Sequence, residues 1–371
     1  MVIMSLPNKV RGVLEPFIED LKSRETISGI GLFGSWGRGN AVPSSDIDLL
    51  IVEDRDFDYE RVERIEVDNC LVDLVYIPKR WITYSIPAEI DQKLYELQVL
   101  FDRDGSLRRA RDLMAKVYWR PERVEIRTES YLIEADAYLS RARLAFHKGD
   151  QQSAKVNSTR SFRALMKILL EVGRKLASNS SFTRSLEGAS ESLGMRPLYE
   201  NYVSLAGFVE LDKASVKNML SALSLSWRGM INFVRENSSL LKEIYPKISV
   251  KVNYYGREEF LKGLMVRASS LMDEATLIEA AHYIYHTLAD ALENYVYFTC
   301  IVEGVKFDYA TIMKCLGESR KSPAEVFQGA TDVLRVKNVS SQDAEKALKS
   351  VSEAAANIRQ RRKDLIARFI G

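Results

Sequence analysis

The segment GLFGSWGRGNAVPSSDIDLLIV, residues 31–52, contains the patterns from which the fold class and the candidate site are predicted. An apolar run ends at Phe33 and leads into a stretch with glycines at 34, 37 and 39. Glycine lets a backbone turn tightly and approach a ligand closely. Backbone amides exposed in such a loop can bind phosphate oxygens. The segment therefore predicts a loop that binds phosphate groups.

Two side chains of this predicted loop suit the same ligand. Ser35 provides a hydroxyl donor and Arg38 a permanent positive charge, and both groups fit a triphosphate. The candidate nucleotide-binding residues are therefore Gly34, Ser35, Gly37 and Arg38. Trp36 lies among them, and the sequence assigns it no role.

Asp46 and Asp48 begin the next apolar run, DIDLLIV. Alternate side chains of a strand point to the same face. The two carboxylates are therefore expected on one face, and Ile47, Leu49 and Ile51 on the other face, toward the core. Carboxylates this close repel each other unless a cation lies between them. Mg²⁺ binds such oxygens and keeps positions open for phosphates. A turn-capping Asp46 beside a solvated Asp48 is the alternative interpretation.

A third acid, Asp73, stands inside the apolar run CLVDLVYI, residues 70–77. A charge in such a strand is costly unless it is paired, hydrogen-bonded or bound to a metal. If this strand pairs beside residues 46–52, Asp73 meets Asp46 and Asp48 at one metal cluster. Otherwise it faces solvent or pairs with a basic residue. The candidate catalytic and metal-binding residues are thus Asp46, Asp48 and Asp73.

Three features of the sequence resemble the signature of the DNA polymerase beta superfamily. They are a Gly-Ser pair, an Asp-x-Asp motif that begins eleven residues after the serine, and a later Asp flanked by apolar residues. The likeness is to its minimal nucleotidyltransferases and to the kanamycin-modifying nucleotidyltransferases, over residues 27–77. It implies that Gly34 and Ser35 bind the triphosphate and that Asp46 and Asp48 hold two Mg²⁺ ions, Mn²⁺ being the alternative. Asp73 would complete the metal site and help to activate the acceptor hydroxyl. Arg38 matches a basic position of the minimal members.

The reaction implied by this resemblance is transfer of a nucleoside monophosphate from a nucleoside triphosphate, ATP being favoured, with release of pyrophosphate. The acceptor is a hydroxyl of a small molecule, an RNA end or a protein. Two alternatives stay open. In the first, the chain is a nucleotide-binding or interaction module without turnover. In the second, it is an enzyme that adds nucleotides to tRNA or other RNA ends.

The fold class predicted for the whole chain is α+β, a small mixed sheet followed by helical bundles. A helical stripe covers residues 9–22, and a fourth strand is expected at 97–102 after the three apolar runs at 27–33, 46–52 and 70–77. Beyond Trp119 helical patterns dominate. The predicted domains are a nucleotidyltransferase domain (1–116), a helical bundle that resembles the HEPN class and binds the acceptor (117–250), and a second bundle (251–371).

Composition narrows the class of protein. The net charge is only +2, so the overall charge does not indicate binding of nucleic acid, although a local basic patch is not excluded. No run approaches the roughly 18 apolar residues of a membrane span, and the start does not have the pattern of a signal peptide. A cytoplasmic protein without a membrane partner is expected, and a homo-oligomer stays open.

The rarer residues point to few other sites. The three cysteines lie far apart, without zinc or disulfide spacing. His282 and His286 are four residues apart on a predicted helix, close enough to share a metal, but no third ligand stands near them in the sequence and a packing role is favoured. Arg141 and His147 match the spacing of ribonucleases in the HEPN class, a spacing that also arises by chance.

Overall fold

The computed structural model describes residues 8–42, 45–273 and 276–371. The chain divides into two compact units, the first made of Met1–Arg120 and Tyr245–Gly263, the second of Pro121–Ile244 and Leu264–Gly371. This differs from the predicted division into three consecutive domains. Residues 245–263 return to the first unit, and the two predicted bundles contribute to one helical unit.

A five-stranded mixed sheet forms the centre of the first unit. Up to residue 120 the elements are α1 (Asn8–Ser23), β1 (Ile27–Phe33), α2 (Gly34–Arg38), β2 (Ile47–Glu53), β3 (Arg61–Val67), β4 (Cys70–Pro78), α3 (Arg80–Thr83), a 3₁₀ turn (Ala88–Ile90), α4 (Asp91–Tyr95), β5 (Gln98–Asp102) and α5 (Ser106–Val117). The strand order is β3-β4-β2-β1-β5. β2 and β4 are parallel and the other neighbours antiparallel, which confirms the predicted mixed sheet.

The core of this unit lies between α1 and one face of the sheet. Leu14, Ile18 and Leu21 recur at helical spacing on α1 and are fully buried. Ile47, Leu49 and Ile51 alternate along β2 and enter the same apolar cluster. The predicted core face of β2 is therefore confirmed, and Asp46 and Asp48 are left to the other side of the strand.

Strand β3 was not predicted. Its sequence, RVERIEV, mixes charged and apolar residues without a continuous apolar run. It lies at the edge of the sheet and pairs with β4 alone. Arg64 is its one buried residue. An edge strand needs little apolar surface, so hydrophobic periodicity alone signals it weakly.

Every regular element described in the second unit is a helix. Up to residue 244 they are α6 (Pro121–His147), α7 (Gln151–Val172), α8 (Phe182–Ser192), α9 (Arg196–Leu205), α10 (Lys213–Glu236) and a 3₁₀ turn (Ser238–Lys242). α11 (Pro246–Tyr255) and the start of α12 (Glu258–Asp273) belong to the first unit, and the remaining helices are α13 (Leu277–Glu303), α14 (Ile312–Glu318), α15 (Ala324–Val333) and α16 (Ser341–Phe369). No helix among the described residues is both long and apolar enough to span a bilayer.

The helix pair α6 and α7 anchors the second unit. Asp150 ends the turn between the two helices and caps α7, since its carboxylate accepts a hydrogen bond from the Ser153 amide at 2.9 Å. Arg127 of α6 and Glu171 of α7 form a buried ion pair with a closest N–O distance of 2.8 Å. The first contact stabilises the start of α7, and the second holds the helices of the pair together.

Candidate active site

The turn from β1 into α2 requires glycine at position 34. Gly34 has a φ of +67°, and a Cβ there would lie 2.2 Å from Oδ2 of Asp48. Any side chain would therefore collide with that carboxylate. The segment predicted to be an open loop is instead a short helix, α2, which begins directly beside Asp48.

The other predicted phosphate-binding residues of α2 lie close to protein neighbours. A Cβ at Gly37 would lie 2.8 Å from the Glu96 backbone oxygen, so this glycine allows close packing. Arg38 pairs with Glu96 through Nη1 and Oε2 at 2.8 Å. Trp36 packs against the apolar core, which accounts for its place in the segment. The phosphate-binding roles of Ser35, Gly37 and Arg38 stay predictions.

The three acids share one side of the sheet. In the parallel pairing of β2 and β4, Asp48 lies directly opposite Asp73, and Asp46 precedes β2 by one residue. Asp46 and Asp73 are 8% and 7% exposed, which places two carboxylates where they need a cationic partner. The strand pairing on which the predicted cluster depended is confirmed.

Arg64 supplies that cationic partner. It lies opposite Asp73 in the antiparallel pairing of β3 and β4. Its Nε donates to Asp73 Oδ1 at 2.7 Å, and its Nη2 donates to Asp73 Oδ2 at 2.5 Å and to Asp46 Oδ2 at 2.6 Å. One nitrogen thus bonds to both carboxylates, so Asp46 and Asp73 converge on a single point. A basic partner for Asp73 was expected only as an alternative, and no pattern in the sequence identifies Arg64 as that partner.

Residues 245–263, which we call the covering segment, enclose Arg64. The Tyr254 hydroxyl donates to Asp73 Oδ2 at 3.3 Å. The Arg64 guanidinium carbon lies 5.8 Å from the centre of the Tyr254 ring and 5.0 Å from that of Phe260, within cation–π range. A Cβ at Gly263 would lie within 2.4 Å of Arg64 Nη1, so this position has no room for a side chain.

The electrostatics of the cluster keep Arg64 charged and Tyr254 protonated. Burial alone would lower the pKa of Arg64, but the Tyr254, Asp73 and Asp46 oxygens outweigh it, and its pKa lies well above its ordinary value. Burial, followed by the charge of Asp73, raises the pKa of Tyr254 well above its ordinary value. A guanidinium cation therefore neutralises the two carboxylates that it bridges.

The donor set suits a hard divalent cation chemically, because carboxylate oxygens are its preferred ligands. In the arrangement seen here, no three Asp, Glu, His or Cys side chains of the described residues are grouped closely enough to hold a metal ion together. The Arg64 guanidinium occupies the position between Asp46 and Asp73. A divalent cation that uses both carboxylates must therefore displace Arg64.

The histidines predicted to pack in a helix are buried in α13. His282 stacks on Phe182 with ring centres 4.4 Å apart, and its ring centre lies 4.5 Å from that of His286. The Tyr202 hydroxyl lies 2.7 Å from His286 Nε2. These contacts are those of packed aromatic rings and agree with the packing interpretation.

The pair considered for ribonuclease activity is split between two environments. Arg141 forms an ion pair with Glu293 at 3.1 Å, and its guanidinium lies over the Tyr309 ring. His147 is exposed at the end of α6. Ribonuclease activity gains no support from these contacts.

Residues 14–100 match the model of the nucleotidyltransferase domain family. This part of the first unit contains the glycine turn and the three acids, and it is similar to a nucleotidyltransferase domain. A 48-residue stretch is 52% identical to a putative protein adenylyltransferase of Methanocaldococcus jannaschii, and it covers 12% of this chain and 48% of that protein. The chain thus matches about half the length of this relative.

A solved structure shows a more distant likeness. The nucleotidyltransferase-like protein from Exiguobacterium sibiricum 255-15 is 10% identical, with 87% of each chain covered and a TM-score of 0.33. At that score the likeness is too remote to bear on the fold or on the function.

Proposed function

We propose that this chain transfers a nucleoside monophosphate from a nucleoside triphosphate, with ATP favoured, to an acceptor hydroxyl and releases pyrophosphate. The observation that carries the proposal is the convergence of Asp46 and Asp73 on one point, with Asp48 opposite Asp73 and against the Gly34 turn. The matched nucleotidyltransferase domain and the adenylyltransferase name of the relative support it.

Each residue of the site has a role in this proposal. Gly34 and Ser35 would bind the triphosphate, and Asp46 and Asp48 would hold two Mg²⁺ ions, with Asp73 completing the metal site. Bound Mg²⁺ would neutralise charge on the triphosphate and lower the pKa of the acceptor hydroxyl. Asp73 orients the acceptor and takes its proton. Most of the acceleration in phosphoryl chemistry comes from such positioning and electrostatics.

Arg64 gives the site a resting state in this proposal. Two buried carboxylates without a cation would be costly, and the guanidinium stabilises them while no metal is bound. Its displacement would make the Asp46 and Asp73 oxygens to which it now donates available to divalent cations. The same displacement opens Oδ2 of Asp73 to an acceptor hydroxyl, because Arg64 Nη2 donates a hydrogen bond to that oxygen in the arrangement seen here.

The proposal is tested by Asp48→Asn in the full chain. Each triphosphate is incubated with Mg²⁺ and a panel of small-molecule, RNA and protein acceptors, and pyrophosphate release is measured. We expect a loss of at least about a hundredfold, since a lost metal ligand costs several kcal/mol of transition-state stabilisation. Asp68→Asn is the matched control, because Asp68 is exposed in the turn between β3 and β4, with a φ of +48° that asparagine tolerates.

The same measurement separates the competing functions. Wild-type release that survives unchanged in Asp48→Asn would place the chemistry elsewhere. Binding of a triphosphate without release on any acceptor would favour the module without turnover. Release confined to RNA acceptors would favour the RNA-end enzyme.

A further inference from the structure

A hydroxyl group of the chain itself lies beside one of the candidate catalytic acids. The Tyr254 hydroxyl lies 3.3 Å from Oδ2 of Asp73, the carboxylate to which the proposed function assigns acceptor activation. An acceptor hydroxyl has to lie within hydrogen-bonding reach of its base. Tyr254 already satisfies this requirement for the acceptor.

The covering segment holds Tyr254 in this place through contacts on several sides. The Tyr254 ring packs edge-on against Tyr255 and Phe260, with ring centres 5.3 Å and 4.9 Å away. Lys262 pairs with Glu66 of β3 at 2.5 Å, which ties the segment to the sheet. A hydroxyl held in this way reacts with little further loss of entropy.

We propose that Tyr254 is an intramolecular acceptor, so that the chain transfers a nucleoside monophosphate to its own tyrosine. This inference rests on the proposed function and assigns it one acceptor, a phenolic hydroxyl of the same polypeptide. The nucleotidylated tyrosine then fills the acceptor position. Each chain is therefore modified once, in a reaction that is first order in protein.

The atoms of this step balance without a further reactant. Tyr254 Oη attacks the α-phosphorus, and an Oη–P bond forms as the bond from that phosphorus to the bridging oxygen of the β-phosphate breaks. Pyrophosphate leaves with the electron pair of the broken bond. The phenolic proton passes to Asp73, which accepts it once Arg64 has turned away. The product is a tyrosyl phosphodiester of the nucleoside.

The experiment incubates the full chain with Mg²⁺ and ATP labelled at the α-phosphate, and peptide mass spectrometry locates the adduct. We expect one nucleoside monophosphate per chain, on Tyr254. Tyr254→Phe removes only the hydroxyl and should abolish the labelling. Tyr255→Phe is the matched control in the adjacent residue and should label like the wild type.

A mixing experiment tests whether the transfer is intramolecular. Tyr254→Phe chains, which keep the proposed catalytic acids, are incubated with Asp48→Asn chains, which keep the tyrosine. No label should appear on the Asp48→Asn chains. Label on them would overturn the intramolecular transfer.

Two further readouts separate this inference from the proposed function. Tyr254→Phe should bind a nonhydrolysable ATP analogue as the wild type does, which shows that its loss of labelling is not a loss of folding. Pyrophosphate release on added acceptors, with Tyr254 unlabelled, would overturn the inference and leave the proposed function standing. Absence of both labelling and release with every triphosphate would overturn both.

Discussion

Gly34 shows how one missing side chain shapes the candidate site. Its positive φ disfavours residues with a side chain, and the 2.2 Å between Asp48 Oδ2 and a built Cβ leaves no space for one. Gly39, five residues later, has a φ of +76° and nothing within 4 Å of a built Cβ. The two glycines therefore share the left-handed conformation and differ only in their surroundings.

A comparison of Gly34→Ala with Gly39→Ala separates the cost of a left-handed backbone from the effect of a collision with Asp48. Both should lower the free energy of unfolding by about 1–2 kcal/mol through the left-handed backbone. Only Gly34→Ala should also displace Asp48 and weaken Mn²⁺ binding and pyrophosphate release. Chemical denaturation and Mn²⁺ titration followed by electron paramagnetic resonance measure the two effects. Equal Mn²⁺ affinity in both variants would contradict the placement of Asp48 against the turn.

Arg64 acts in the resting site as a tethered cation. Arg64→Gln removes its charge, and without metal the free energy of unfolding should fall by about 3–5 kcal/mol, because two buried carboxylates lose their partner. Mn²⁺ should bind at least about tenfold more tightly than to the wild type, since no guanidinium has to be displaced and tenfold corresponds to about 1.4 kcal/mol. The measurements are denaturation with and without Mn²⁺ and direct Mn²⁺ titration.

Arg61→Gln is the matched control for Arg64. Arg61 lies on the same strand but pairs with Glu53, at 2.6 Å, and not with the acids of the site. Its loss should leave Mn²⁺ affinity unchanged. If Arg64→Gln bound Mn²⁺ no better than the wild type, a cation would not compete with Arg64 for these carboxylates.

At the scale of elements, helix α13 carries two ionisable rings in its buried face. His282 is 2% exposed, and neither of its ring nitrogens has a hydrogen-bond partner among the described residues. Burial, followed by the charge of Arg163, lowers its pKa well below the ordinary value of 6.5. Burial lowers the pKa of His286 as well, with contributions from Arg163 and His282. Both rings are therefore neutral in the folded protein.

These histidines should make the protein acid-sensitive. Above pH 6.5 they are neutral in both states and do not affect stability, but below it the unfolded chain gains protons that the folded chain does not. Stability is therefore lost as pH falls below about 6.5, by up to about 1.4 kcal/mol per pH unit for each histidine. His282→Phe keeps a ring against Phe182 and should remove one histidine's share of this loss.

The control for His282 is His147→Gln, which removes an exposed histidine. Urea denaturation at about pH 7.5 and pH 5.5, on either side of the ordinary histidine pKa, measures the loss in each variant. His147→Gln should behave as the wild type does. An unchanged loss in His282→Phe would mean that His282 is charged in the folded state.

Two elements, β3 and α11, place the residues that surround Asp73. The first is an edge strand with charges of alternating sign, and the second is a helix that begins at Pro246. Together they bring Arg64 and Tyr254 to Asp73. Helix and strand patterns predict whether an element forms, but they do not identify the element to which it packs.

At the scale of the whole molecule, chain order and spatial order differ. The first unit takes residues 245–263 from a stretch more than a hundred residues beyond its other part, which ends at Arg120. The helical class of residues 117–371 was predictable because amphipathic periodicity is local. Three expectations stay predictions: the resemblance of the helical region to the HEPN class, the identity of an added acceptor, and the oligomeric state.

The strands β1, β2 and β4, their core face and the positions of the three acids could be predicted from the residues alone, because these depend on local alternation of apolar and polar residues. The placement of Arg64 between Asp46 and Asp73, and of the Tyr254 hydroxyl beside Asp73, follows only from the folded structure. Those contacts join residues up to 181 positions apart. Local patterning carries no information about such pairs, because the chain brings them together only when its elements pack.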